Sequence, residues 1–257
     1  PEVRDILNNV FFCLASACAL YARQALFFLP ISYLLYLFFN NANKKIILIS
    51  IISFAILSIP GFLLMWTWGA VFHAVPGMEP WGGFLGGWIN HHHILKNLPI
   101  ILSFFGFYLL PFLIIEFLNS GFKYFFSRYF KSFFLCLIIL IFLSQINLLD
   151  YLGNYTQSGG AVLKVNYLIQ KNNFLLLLVF SSIGFSILVR FFKEDPKNSL
   201  IILLPVIVIY GLPNLLNQEY VEPLILIIFF LYLKTDLHQT YFKNISLSHF
   251  IFISYFA

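Results

Sequence analysis

The amino-acid sequence predicts an all-α protein, a polytopic transmembrane helical bundle, and three observations carry that expectation. Of 257 residues, 61% are hydrophobic and only 10% are charged, against about 25% charged in an ordinary soluble domain. The mean hydropathy is +0.90. A soluble chain of this length would clothe its surface in Lys, Arg, Asp and Glu, so their scarcity means that most of the exterior faces lipid. The net charge of +5 fits the basic loops of such a protein and needs no nucleic-acid partner.

A spanning helix takes about 20 apolar residues, and on that measure the chain holds about eight spans plus the start of another. Residues 6–39 form 34 apolar-rich positions interrupted by Arg23 and Gln24, too long for one span and enough for a tight hairpin of two short ones. Residues 46–66 give a third span, kinked at Pro60-Gly61, and residues 99–117, 133–149 and 174–192 give three more. The seventh, residues 200–212, is broken by Pro205 and bounded by Pro213, and the eighth covers residues 216–233. Neither an internal repeat nor a soluble domain stands out, so residues 1–257 read as a single transmembrane domain. The chain opens on Pro1, has only Met65 and Met78 as methionines, and ends inside the apolar run 247–257. It therefore reads as a fragment of a longer protein. Cys13, Cys18 and Cys136 lie in apolar runs, where buried thiols are expected and a disulfide has no support.

Lys and Arg set the expected orientation, because cytoplasmic loops carry the excess positive charge. Alternate connections hold Lys44, Lys45, Lys123, Arg128, Lys131, Arg190, Lys193, Lys197, Lys234 and Lys243, ten on one side, against Arg23, Lys96, Lys164 and Lys171, four on the other. The first side reads as cytoplasmic. The outer face then receives residues 67–98, with six glycines, four of the six histidines and, counting Trp66 just before it, all four tryptophans. It also receives residues 150–171 and 213–223.

Within that frame a few polar residues ask for an explanation. Arg23 sits where the apolar hairpin turns, so it must snorkel as an interfacial anchor, line a wet cavity or pair with an anion such as a phosphate. His91, His92 and His93 are adjacent, which denies them the spacing of a helical metal site; no metal is expected there. With Lys96 they form either a cluster for a phosphate or sugar, or an interfacial loop at headgroup depth. Glu219 and Glu222, three apart around Tyr220, share a helical face at the outer end of the eighth span, either as a site for sugar hydroxyls or a cation, as a base, or as a solvated helix start. Pro223 biases Glu222 away from helix. Glu79 and Asp150 are further outer-face acids, and Asn154 begins a glycosylation pattern too common to carry weight. Glu116, near the cytoplasmic end of its span, is expected to snorkel.

Taken together, Ala22-Arg23-Gln24 in a short hairpin, the Trp/Gly/His-rich loop, the helix opening at Asn97-Leu98-Pro99 and the late run Gln218-Glu219-Tyr220-Val221-Glu222-Pro223 resemble the C-terminal membrane half of GT-C glycosyltransferases. Within that superfamily the nearest group is the dolichyl-phosphate-glucose α-1,2-glucosyltransferases. Two departures stand out: Ala25 and Leu26 follow the Arg-Gln pair where that group has polar residues, and Glu219 precedes Tyr220 where it has arginine. The resemblance implies hexosyl transfer from a polyprenyl-phosphate sugar to a glycan or lipid acceptor at the outer or lumenal face of a bacterial inner membrane or the endoplasmic reticulum. It implies donor-phosphate binding by Arg23, His91, His92, His93 and Lys96, acceptor binding by Glu219, Tyr220 and Glu222, and a catalytic acid/base upstream of Pro1. No cofactor is expected, with a divalent cation left open. The alternative is a transporter or lipid carrier, for which the helix breaks at Pro205 and Pro213 speak.

Overall fold

The computed structural model describes residues 2–22, 26, 28–68, 91–145, 175–211, 221, 224–226, 228–229, 235–243 and 245–256. Every regular element among the described residues is helical: α1 (Glu2–Ala22), α2 (Phe28–Phe39), α3 (Lys44–Trp68), α4 (His91–Ser120), α5 (Phe122–Gln145), α6 (Leu175–Glu194), α7 (Pro196–Gly211), α8 (Asp236–Lys243) and α9 (Ile245–Phe256). Four of these are long and apolar enough, by length and composition, to cross a membrane: Lys44–Gly61 in α3, Asn97–Ser120 in α4, Phe122–Leu143 in α5 and Leu175–Glu194 in α6. The apolar stretches of α1, α2, α7 and α9 are shorter. The 12 residues of α2 reach about 18 Å, well under the ~30 Å hydrocarbon core. The expected eighth span lies largely outside the described residues.

Sequence chemistry sets the boundaries. Asn43 caps α3, its Oδ1 accepting from the Lys45 N–H at 3.0 Å. Asp195 caps α7, its Oδ1 accepting from the Asn198 backbone N–H at 3.4 Å and its Oδ2 from Asn198 Nδ2 at 2.9 Å, with Pro196 at the first helical position, where its missing N–H is no loss. Between α4 and α5 the chain turns on Gly121, whose φ of 80° is open to glycine and strained for other residues. That one-residue turn starts α5 at Phe122, so Lys123, Arg128 and Lys131 stand on a helix and not in the loop that the sequence places before residue 133.

The helices form two compact units, Pro1–His93 with Ile201–Asn214, and Ile94–Leu200 with Leu215–Ala257. In the first, α1 and α3 run in the same direction, with Asn9 meeting Ser50 and Tyr21 meeting Leu57. Asn9 Oδ1 lies 2.5 Å from the Tyr33 hydroxyl of α2 and 2.9 Å from Ser50 Oγ of α3, so one buried amide joins three helices. Further along, Pro60 removes a rung from the α3 ladder. At the neighbouring rung the Tyr21 hydroxyl donates to the Leu57 carbonyl and accepts from Gly61 N–H at 3.2 Å, a side chain inserted into the ladder next to the proline. Cys13 is buried, as expected for an apolar run, whereas Cys18 is exposed. The inward face of α1 is the one bearing Cys13, Ser16 and Ala17, and position 18 turns away from it.

The second unit is arranged around α4, whose spanning window is 78% buried against 17% for α5. Ile100, Phe104, Tyr108, Phe112 and Ile115 are essentially inaccessible. The rings of Phe112 and Phe252 of α9 lie 5.7 Å apart, and Phe107 meets Phe180 of α6 edge-on at 5.5 Å. The crossing of α4 with α6 is made possible by two glycines: a Cβ at Gly106 would collide with the Phe180 carbonyl, and one at Gly184 with that of Leu102. Close backbone approach through small residues holds helices together where lipid is as apolar as leucine. Ser181 Oγ reinforces the crossing, 2.6 Å from the Pro99 carbonyl.

Candidate functional site

The most concentrated chemistry among the described residues lies in the second unit, where the C-terminal ends of α4 and α6 meet the first turns of α5. Glu116 comes from α4, Arg128 and Tyr129 from α5, Arg190 and Glu194 from α6, and Asp236 from the start of α8. Glu116, Arg128, Tyr129 and Arg190 are each carried on an apolar helix one to two turns from its end, and Glu194 is the last residue of α6, so packing of the helices delivers the charges to one place.

At the centre, Arg190 Nη1 lies 2.5 Å from Glu116 Oε2, and the Tyr129 hydroxyl donates to the same oxygen at 2.6 Å while accepting from Arg190. Arg190 Nε reaches Glu194 Oε1 at 2.7 Å, one helical turn on. Arg128 forms the outer layer. It pairs with Glu194, lies 3.5 Å from Glu116 Oε1 and 3.2 Å from Asp236 Oδ2, and stacks its guanidinium 5.4 Å above the Tyr124 ring. Glu194 closes the circuit by accepting from the Asp236 backbone N–H at 2.9 Å. Exposure rises from the inside outward: the side chains of Glu116 and Arg190 are 3% and 4% exposed, whereas Asp236 is 62% exposed.

Two carboxylates and two guanidiniums make the buried part neutral, as a charge cluster taken out of water must be. Glu116 and Glu194 both stand near helix C-termini, where the helix dipole repels an anion, so their placement depends on the arginines. Both oxygens of Glu116 are engaged, which leaves no lone carboxylate poised as a base. The arrangement is a latch that ties α4, α5, α6 and the start of α8 together. Arg190 Nη2 is buried without a hydrogen-bond partner, so the latch retains one donor for a further acceptor oxygen.

This corrects the expectation for Glu116, which does not snorkel. Its partner is supplied from 74 residues away, and pairing removes the reason to reach for water. The sequence did hold a signal: Glu116 and Arg190 are opposite charges placed in apolar runs, on the same side by the loop count, and intramembrane ionisable residues of opposite sign tend to pair.

The residues singled out from the sequence fall elsewhere. Arg23, Glu219, Tyr220 and Glu222 lie outside the described residues. His91, His92, His93 and Lys96 occupy the first two turns of α4, with the backbone described and the side chains not. By helical spacing, positions 92, 93 and 96 fall on one side of that helix and position 91 does not. Among the described residues no group of three or more His, Cys, Asp and Glu is arranged to hold a metal ion. Compared with protein-family models, with curated proteins and with solved structures, the chain gives no significant match.

Proposed function

We propose that the protein is a multi-pass membrane glycosyltransferase of the GT-C type, moving a hexose from a polyprenyl-phosphate donor to a glycan or lipid acceptor on the outer or lumenal face. The observation that carries this reading is that α4 starts at His91, directly after the Trp/Gly-rich stretch of the sequence. It sets three histidines and Lys96 at a helix N-terminus, where unsatisfied backbone N–H groups and the helix dipole favour a phosphate. In this reading Arg23 and that cluster neutralise the departing lipid phosphate, a base upstream of Pro1 takes the acceptor proton, and Glu219, Tyr220 and Glu222 hold acceptor hydroxyls. The ten-to-four division of Lys and Arg turns this face outward.

The test is transfer in membrane vesicles bearing the full-length protein, with polyprenyl-phosphate glucose and mannose as labelled donors. Label should pass to a lipid or glycan fraction, and Arg23→Ala and Lys96→Ala should each lower it at least tenfold at equal protein yield. Vesicles that leave both donors intact would overturn the reading. A second reading, a transporter or lipid carrier, is favoured by the buried ion pair of Glu116 and Arg190, since such pairs also mark transport paths. Its signature would be movement of intact donor across the vesicle without chemical transfer.

A further inference from the structure

The second unit carries a feature that the sugar-transfer reading does not use. Where α4 and α5 diverge from the Gly121 turn they leave a groove of about 380 Å³, walled by Leu110 and Ile114 of α4 and by Phe126, Phe130 and Phe134 of α5, with Ser186 of α6 at its floor. Phe126, Phe130 and Phe134 follow one another at one-turn spacing with centroids 4.0 and 4.3 Å apart. All three are exposed. Together they make a continuous apolar track about 12 Å long on a helix apolar enough to lie in a membrane. Lys123 stands one turn before Phe126 on the face of the track and Lys131 on the neighbouring face, eight residues apart and both exposed. Neither is in an ion pair among the described residues, whereas Arg128 on the same helix is consumed by the latch.

We propose that this groove binds one anionic phospholipid of the surrounding leaflet, an acyl chain lying along the phenylalanine track and the phosphate held by Lys123 and Lys131. Direction supports the assignment. Side chains on a helix lean toward its N-terminus, and the α5 N-terminus lies at the charged end of the unit, beside Glu116 and Glu194. Lys123 stands at that end, and Lys131, about 12 Å further along the helix, is a long flexible cation that leans back toward it. Charge supports it as well. Two unpaired ammonium groups attract a net-negative headgroup over a zwitterionic one, by about fivefold per lysine. The groove lies at the C-terminal end of α4, and the proposal stands or falls independently of any chemistry at His91–His93.

The experiment is native mass spectrometry of the full-length protein released from nanodiscs of equal phosphatidylglycerol and phosphatidylethanolamine, with a phosphatidylglycerol probe carrying a photoreactive acyl chain to map the contact. One phosphatidylglycerol should be retained, with about tenfold or greater preference, and the adduct should fall on α4 or α5 between residues 110 and 134. The double variant Lys123→Glu/Lys131→Glu changes only exposed positions; it should remove the preference. Leu110→Trp fills the groove from its half-buried wall and should abolish the adduct with either headgroup. Equal retention of both lipids by the unaltered protein, an unchanged preference in the double variant, or displacement of phosphatidylglycerol by a substoichiometric polyprenyl phosphate would overturn the assignment.

Discussion

The two units face the same difficulty and meet it differently. Helices surrounded by lipid gain nothing from hiding leucine from leucine, so contact has to come from close packing and polar bonds. In the first unit the bonds among the described residues are neutral: the Asn9 amide between Tyr33 and Ser50 and the Tyr21 hydroxyl beside Pro60. In the second a neutral bond from Ser181 to the Pro99 carbonyl is joined by an ionic cluster, and the helices approach so closely at Gly106 and Gly184 that no Cβ fits. A neutral bond can be lost at modest cost because the separated groups find other partners. A buried charge deprived of its partner has none. The second unit should therefore be the more rigid and the less tolerant of substitution, and the polar bonds of the first the more replaceable.

That contrast can be broken in a graded way. The largest effect is expected for Arg190→Met, which takes from Glu116 its buried ionic partner and leaves it only the more distant Arg128 at 3.5 Å and the Tyr129 hydroxyl; about 3–5 kcal/mol should be lost, read as a collapse of monodisperse protein in detergent. Gly184→Ala comes next, because its Cβ meets the Leu102 carbonyl and backbone cannot move aside as a flexible side chain can. Forced overpacking of this kind costs about 1–3 kcal/mol, visible as a shift in the denaturant midpoint. Asn9→Ala should cost less, within the ~0.6–1.7 kcal/mol measured for interhelical hydrogen bonds in membranes. Tyr21→Phe should be the mildest, because the Leu57 carbonyl can still accept from the α3 ladder once the hydroxyl is gone. An Asn9 variant as damaging as the Arg190 variant would erase the distinction between the units.

How far the sequence reveals this depends on the range of the interaction. The helical class and four strongly apolar helices are legible because periodicity and composition are local. The short turn at Gly121 is not, since the charges of Lys123, Arg128 and Lys131 imitate a loop; in the fold Glu194 and Asp236, distant in sequence, take up Arg128, while Lys123 and Lys131 stand exposed on the helix. Glu116 is misjudged for the same reason. Its burial is decided by Arg190 on another helix, and no window of sequence contains both. The donor and acceptor residues assigned from motifs, Arg23 and Glu219 with Tyr220 and Glu222, rest on resemblance alone.

The central claim is that Glu116 and Arg190 act as one neutral buried unit. A double-mutant cycle tests it most directly: Glu116→Leu, Arg190→Leu and the pair together, each followed by denaturant unfolding in one detergent at one pH. Removing either partner leaves the other buried charge short of its central partner, Glu116 with Arg128 at 3.5 Å or Arg190 with Glu194 alone, whereas removing both replaces a buried pair by apolar side chains, which is often neutral or better. The account predicts two strongly destabilised single variants and a double variant that recovers most of the loss, a coupling of about 2–3 kcal/mol. Single variants whose costs simply add in the double would contradict it.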